Sequence, residues 1–163
     1  MLKQNYSAYT AEDKQVWALL FERQINNLAE SASGAYLGGI EKVRFNKDRI
    51  PHFEDTNKIL GELTGWSMYE VASIIPRKEF FELLAQRKFS ATTWLRKVSQ
   101  LDYLEEPDMF HDVFGHVPLL SLQHFCDFFH GLSLIAGKYM TNEWALELLG
   151  RIYWFTVEFG LIE

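Results

Sequence analysis

The stretch Pro107-Asp-Met-Phe-His-Asp-Val-Phe-Gly-His-Val-Pro118 sets two histidines, His111 and His116, five positions apart in a largely apolar context. A buried imidazole needs a partner, which a metal ion, a carboxylate or a carbonyl can provide. In a regular α-helix five residues rotate a side chain by about 140°, so the two rings would point apart. A wider, π-helical turn brings such positions closer to one face. We therefore predict a helix distortion between the histidines, permitted by Gly115 and Pro118.

A third candidate ligand, Glu158, lies downstream in the run Tyr153-Trp-Phe-Thr-Val-Glu-Phe-Gly160. Glutamate is rarely buried without a partner, yet its neighbours here are apolar or aromatic. Two histidines and a carboxylate with open positions suit non-haem Fe(II), and they also suit zinc. Structural histidines and a surface glutamate remain alternatives. A zinc hydrolase is poorly supported because the sequence lacks the His-Glu-x-x-His pattern.

Composition and charge limit the class of protein. The 163 residues are 48% hydrophobic and 23% charged, which is sufficient for one domain with a real core. A net charge of −6 argues against nucleic acid or an anionic membrane as partner. The single cysteine, Cys126, excludes an internal disulfide. With neither a signal peptide nor a membrane-spanning run in the sequence, we expect a cytoplasmic protein. We also expect a monomer.

Apolar periodicity predicts a mainly α fold with few short strands. The helix near the amino terminus follows a capping box at Thr10 and Asp13. Segment 34–53 is expected to be irregular or short-helical, segment 66–75 extended, and segment 88–98 either strand or loop. The predicted helices cover residues 11–31, 55–63, 76–87, 121–137 and 142–159, with one more opening at Pro107.

The two motifs together resemble the pterin-dependent aromatic amino acid hydroxylases. That family's pattern is Pro-Asp-x-x-His-[Glu/Asp]-x-x-Gly-His-Val-Pro, followed well downstream by Ile-Tyr-Trp-Phe-Thr-Val-Glu-Phe-Gly-Leu. The corresponding stretches here run from Pro107 to Pro118 and from Ile152 to Leu161. The resemblance extends more weakly back to about Tyr9, and it is greatest to the bacterial members that act on phenylalanine.

This resemblance implies an oxidoreductase of phenylalanine catabolism, a phenylalanine 4-monooxygenase. Such an enzyme hydroxylates L-phenylalanine to L-tyrosine with O2 and a tetrahydrobiopterin-like tetrahydropterin at a non-haem Fe(II) centre. By position, His111, His116 and Glu158 would be the iron ligands, and no other catalytic residue is implied. The alternatives are a tryptophan or tyrosine hydroxylase of the same family, or a catalytically silent, truncated helical domain that binds metal or only folds.

The resemblance also implies residues for the amino acid substrate. Arg96 matches the arginine that holds the substrate carboxylate, which a planar guanidinium can bind with two hydrogen bonds. Asp108 matches an acidic residue that supports this region. Trp154 and Phe159 match aromatic residues that line the substrate pocket. The family's Thr-Pro-Glu-Pro-Asp is Leu104-Glu-Glu-Pro-Asp here, so one hydroxyl on the substrate side is absent.

On the cofactor side, Phe80 matches the aromatic residue that stacks on the pterin ring, and Tyr153 borders the same pocket. The glutamate that commonly follows the first histidine is the shorter Asp112 here, so we expect its pterin contact to pass through water. A histidine that often lies near the pterin is replaced by Ser90, and no pterin role is assigned to that position.

The expected domain organisation is one partial catalytic domain covering residues 1–163. It would lack the amino-terminal regulatory domain of animal members and the segments that follow the glutamate ligand in the family. The predicted fold class is therefore the helical catalytic-domain fold of these hydroxylases, incomplete at its carboxyl end.

Overall fold

The computed structural model describes residues 2–160, and helices predominate among them. The α-helices are α1 (Ala11–Leu28), α2 (Gly34–Lys42), α3 (Phe53–Leu63), α4 (Arg77–Ala85), α5 (Gln123–Gly137) and α6 (Glu143–Tyr153). The strands are β1 (Ser67–Val71) and β2 (Lys88–Thr92). Two segments are π-helical, Phe110–His116 and Trp154–Glu158, and short 3-10 turns occupy Tyr6–Ala8, Val98–Gln100 and Val117–Ser121. The predicted mainly helical fold is confirmed.

Most element boundaries follow the sequence-based expectations. Segment 34–53, expected to be irregular or short-helical, contains the short helix α2 followed by an irregular part. Two boundaries differ. The helix expected to open at Pro107 begins only after Asp108, since Pro107 lies in coil. The helix expected over 142–159 is α-helical only to Tyr153 and then widens. The last difference matters for the site, because Glu158 belongs to the widened part.

The start of α1 is stabilised by the predicted capping box. The Asp13 amide donates to Thr10 Oγ1 at 3.2 Å, and the Thr10 amide donates to Asp13 Oδ2 at 2.7 Å. These bonds satisfy amides that have no partner within the helix. The helix then buries Trp17, whose indole donates to the Asn46 carbonyl at 2.9 Å.

The two strands form a parallel pair connected by α4. Their register pairs Ser67 with Lys88 and Val71 with Thr92. A parallel connection needs a crossover, and α4 provides it. Segment 88–98, for which strand and loop both remained open, is strand only as far as Thr92. The carboxyl end of β2 therefore reaches the π-helix that carries the two histidines.

Aromatic side chains anchor the first π-helix in the core. The Phe110 and Phe114 rings stack with centroids 4.7 Å apart. Phe110 also meets Trp17 edge-on at 5.3 Å, and Phe114 meets Phe21 in the same way at 5.3 Å. Such edge contacts are favourable arrangements of the ring quadrupoles. One side of the π-helix is thus held against α1, which leaves the other side free to carry the histidines.

No helix within residues 2–160 has both the length and the apolar character needed to cross a membrane.

Helix α2 approaches the turn after His116 so closely that only glycine fits at one position. A Cβ atom on Gly39 would overlap the backbone oxygen of Pro118 and lie 2.8 Å from its carbonyl carbon. Neither backbone can yield without displacing α2 or the 3-10 turn that follows His116. A Cβ on Gly38, in the same helix, would meet nothing within 4 Å.

We predict that Gly39→Ala lowers the free energy of unfolding by about 1–3 kcal/mol, because the added methyl overpacks a backbone contact. Gly38→Ala is the matched control. It should leave stability unchanged or raise it by up to about 1 kcal/mol, since alanine favours the helix. Urea unfolding of both variants measures the difference, and equal midpoints would show that α2 is not in tight contact with Pro118.

Candidate metal centre and adjoining cavities

The predicted distortion between the two histidines is confirmed: residues Phe110–His116 form a π-helix. The His111 and His116 rings lie with centroids 5.1 Å apart and planes inclined by 71°. Pro118 has no N–H to donate to the Phe114 carbonyl four residues earlier. The Tyr36 hydroxyl donates to that carbonyl instead, at 2.6 Å. Burial raises the pKa of Tyr36, so the hydroxyl keeps its proton.

Glu158 reaches the histidine pair from a second π-helical turn. The Phe159 amide donates to the Trp154 carbonyl at 3.1 Å, five residues back, and Gly160 ends the turn with φ of +62°. Glu158 Oε1 lies 3.3 Å from His116 Nε2, and Oε2 lies 3.5 Å from His111 Nε2. Both imidazoles therefore direct the same nitrogen towards one carboxylate.

These three side chains make the cluster that could hold a metal. Their potential ligand atoms all lie within 4.8 Å of one another, and no other such cluster occurs among residues 2–160. Burial would raise the pKa of Glu158, but the hydrogen bonds to His111 and His116 outweigh it and hold the pKa well below the ordinary value. The pKa of His111 is raised to about 9, mainly by its hydrogen bond to Asp112 and then by Glu158. An anionic carboxylate and two imidazole nitrogens are a suitable donor set for a divalent cation, which would displace the proton from His111 Nε2 on binding.

Asp112 contacts the His111 ring on the side opposite Glu158. Its Oδ1 atom lies 3.0 Å from His111 Nδ1, while Oδ2 accepts hydrogen bonds from the amide and the hydroxyl of Thr92 at 2.8 and 2.9 Å. Nothing in the sequence distinguished Thr92 beyond its β-branched side chain. The water-mediated pterin contact expected of Asp112 stays a prediction, and Asp112 does line the cavity described below.

Arg96 is held by Asp108 in a fork of two hydrogen bonds. Arg96 Nε and Nη2 donate to the two carboxylate oxygens at 2.9 Å each, and the Arg96 amide donates to Oδ2, also at 2.9 Å. Asp108 is fully buried, and the Arg96 side chain is 14% exposed. Although burial would raise it, the bonds from Arg96 and from the His111 amide keep the pKa of Asp108 below its ordinary value.

The ion pair between Arg96 and Asp108 bears on the substrate-binding roles expected of the two residues. Asp108 lines neither cavity at the site, so it can act on a substrate only through Arg96. A guanidinium has five N–H donors, and the fork to Asp108 uses two of them. The donors that remain on Nη1 and Nη2 are available for a carboxylate ligand, and Arg96 lines the cavities on both sides.

A cavity of about 710 Å³ adjoins the cluster and has an aromatic wall. This volume lies within the range usual for small-molecule sites. The Phe80 and Tyr153 rings meet edge-on in it, with centroids 5.0 Å apart, and Trp154 also lines it. Burial raises the pKa of Tyr153 well above the ordinary value, and the Glu158 charge adds to the shift.

The two aromatic residues expected in one substrate pocket lie in two cavities. Trp154 lines the first, whereas Phe159 lines a second cavity of about 780 Å³ on the other side of the cluster. Their rings nevertheless lie only 5.4 Å apart. The turn from Trp154 to Gly160 therefore separates the two spaces, and both reach His111 and Glu158.

Comparison with known proteins is consistent with this geometry. Residues 4–163 match the profile of the biopterin-dependent aromatic amino acid hydroxylases. The chain is 45% identical over 163 residues to phenylalanine-4-hydroxylase of Chromobacterium violaceum and 41% identical over 161 residues to that of Ralstonia nicotianae. It covers 99% of its own length in both matches, but 54% and 51% of the two relatives. The chain thus spans about half the length of these curated relatives.

Solved structures give the same result. A crystal structure of a point mutant of the Chromobacterium violaceum phenylalanine hydroxylase superposes with a TM-score of 0.92 at 44% identity, covering 96% of this chain and 56% of that one. A structure of the same enzyme with bound iron(III) and 7,8-dihydrobiopterin superposes with a TM-score of 0.88 at 43% identity, covering 96% and 57%. These values confirm the predicted fold class.

We predict that Asp108→Asn lowers the free energy of unfolding by about 3 kcal/mol, because it leaves the buried Arg96 guanidinium without a counter-charge. Asp102→Asn is the control, since Asp102 pairs with Arg23 at 2.8 Å on the surface. Its cost should be below about 1 kcal/mol. Chemical unfolding measures both, and similar losses would contradict a special role for the buried pair.

Proposed function

This chain belongs to the biopterin-dependent aromatic amino acid hydroxylase family, and on that premise we propose that it carries the iron site of a phenylalanine 4-monooxygenase. The reaction is the hydroxylation of L-phenylalanine to L-tyrosine with O2 and a tetrahydropterin. The observation that carries the proposal is the cluster of two Nε2 atoms and one carboxylate beside an aromatic cavity. The relatives' names support phenylalanine over tryptophan or tyrosine as the substrate.

The donor set fits ferrous iron. His111, His116 and Glu158 would occupy one face of the metal and leave the opposite positions open, as in non-haem Fe(II) oxygenases. When bound, the iron and the reduced pterin supply the chemistry that activates dioxygen. The protein's part is to fix the ligands, orient the two organic molecules and keep water away from the reacting atoms.

Arg96 would hold the carboxylate of the amino acid. Two hydrogen bonds to Asp108 fix the orientation of the Arg96 guanidinium. The remaining N–H donors of Arg96 therefore have a set direction, and Arg96 loses little side-chain freedom when it binds the substrate. Trp154 offers an apolar surface for the substrate ring in the cavity that Arg96 also lines. This arrangement would place the substrate ring near the metal while Arg96 binds the substrate carboxylate.

Phe80 and Tyr153 would form the pterin side of the same cavity. Their edge-on contact gives a rigid aromatic wall on which a flat bicyclic ring can stack. The raised pKa of Tyr153 keeps its hydroxyl neutral, so it adds no charge beside Glu158. Asp112 lies at the edge of this space and could reach the pterin through water.

We predict that Glu158→Gln weakens Fe(II) binding more than about 100-fold, because even residues that only support a ligand contribute 10–100-fold. The helix content should remain that of the unsubstituted chain. Glu82→Gln, at an exposed position on α4, is the control and should bind iron normally. Anaerobic Fe(II) titration and far-UV circular dichroism measure the two properties. A parallel loss of helix and metal would make Glu158 a structural residue.

We predict that Arg96→Lys weakens L-phenylalanine binding by about tenfold, since an ammonium cannot form the planar fork with both carboxylates. Lysine retains a positive charge beside Asp108, so iron affinity should change little. Arg77→Lys, at an exposed position on the rim of the same cavity, is the matched control. Calorimetric titration of the iron-loaded chain measures the affinities. A larger loss of L-phenylalanine affinity in the Arg77 variant would indicate that Arg77, and not Arg96, binds the substrate carboxylate.

The whole proposal is tested by following tyrosine formation from L-phenylalanine with Fe(II), O2 and a reduced pterin. Tyrosine above an iron-free control, lost in the Glu158 variant, is the expected result. If the chain binds iron and phenylalanine but forms no tyrosine, it is a binding site without activity, which is the catalytically silent alternative. Absence of iron binding would contradict the proposal.

A further inference from the structure

We infer that Thr92 is a positioning residue for the metal centre: it fixes the Asp112 carboxylate, and Asp112 in turn fixes the His111 ring. The amide and the hydroxyl of Thr92 bond to Asp112, which is not one of the three proposed ligands. The inference rests on the proposed function, because it concerns the orientation of one of the three ligands.

The contact between β2 and the first π-helix carries this inference. Thr92 is the last residue of β2 that pairs with β1, and its partner is Val71. Its side chain is buried, with 2% of the residue exposed. The amide and the hydroxyl of Thr92 both donate to Oδ2 of Asp112, at 2.8 and 2.9 Å. Two donors from one rigid strand end therefore hold one carboxylate oxygen.

The held carboxylate acts on the imidazole through its other oxygen. With Oδ2 occupied, Oδ1 of Asp112 faces His111 Nδ1 at 3.0 Å. When a metal takes the lone pair of Nε2, Nδ1 must carry the proton and needs an acceptor. A carboxylate with a fixed rotamer provides this acceptor at a set angle, so the ring cannot swing away from Glu158.

Removing the Thr92 hydroxyl should therefore weaken the metal site without removing any ligand. Thr92→Val keeps the shape and the backbone amide but loses the donor to Oδ2. Thr92→Ser keeps the hydroxyl and loses only a methyl group. The hydroxyl rather than the methyl group should determine the metal affinity. Thr92→Ser should therefore keep the affinity that Thr92→Val loses.

The first experiment titrates Co(II) into the three proteins and follows the visible ligand-field bands, which report affinity and ligand geometry. We expect Thr92→Val to bind about tenfold more weakly, within the range for outer ligand supports, with shifted bands. Thr92→Ser should remain within about twofold of the unsubstituted chain. Equal affinity and identical bands for valine, or serine as damaging as valine, would overturn the inference.

A second experiment separates positioning from general stability. In an Asp112→Ala background the valine change should alter Co(II) affinity less than about twofold, since there is no carboxylate left to hold. In the Zn(II)-loaded protein, NMR should show the His111 Nδ1 proton exchanging faster with water in Thr92→Val than in Thr92→Ser. Additive losses of affinity, or equal exchange rates, would make Thr92 a purely structural residue.

These outcomes are distinct from those that test the proposed function. Tight Co(II) binding that depends on Glu158 but not on the Thr92 hydroxyl would overturn only the role of Thr92. Absence of Co(II) binding by the unsubstituted chain would overturn both proposals.

Discussion

The widened turn between His111 and His116 is the constraint on which the rest of the site depends. Five residues of ordinary α-helix would set the two rings about 140° apart, and no third ligand could then reach both. The π-helix brings both Nε2 atoms to Glu158. It persists because its other face is packed in the core and because the Tyr36 hydroxyl takes the place of the amide that Pro118 lacks.

One extended segment connects the proposed functions of the site. At the end of β2 and beyond it, alternate residues bond to the first π-helix and to the two residues before it: Thr92 to Asp112, the Trp94 carbonyl to the Met109 amide at 2.9 Å, and Arg96 to Asp108. Alternate residues of an extended chain face the same side, so this one segment can contact Asp108, Met109 and Asp112 together. The proposed substrate arginine and the support of the first histidine thus lie on the same short segment of chain.

Much of this could be predicted because the signals are local. Apolar periodicity indicated the helices, the Thr10 box indicated where α1 begins, and the five-residue histidine spacing required a distorted helix. Three other features could not be predicted in this way. The widening after Tyr153, the two cavities on either side of Glu158 and the backbone contact at Gly39 depend on which surfaces meet, and pattern analysis of a single chain contains no such distances.

The sequence by itself determined the candidate donor set: two histidines and a glutamate, each in a motif with largely apolar neighbours. Only the tertiary structure decided how these donors are supported. In the structure, two N–H donors of Arg96 bond to Asp108, and Thr92 bonds to Asp112, twenty residues away in the chain. Trp154 and Phe159 line different cavities. The physical reason is that a ligand's identity belongs to one residue, whereas its orientation depends on hydrogen bonds and packing between elements distant in sequence.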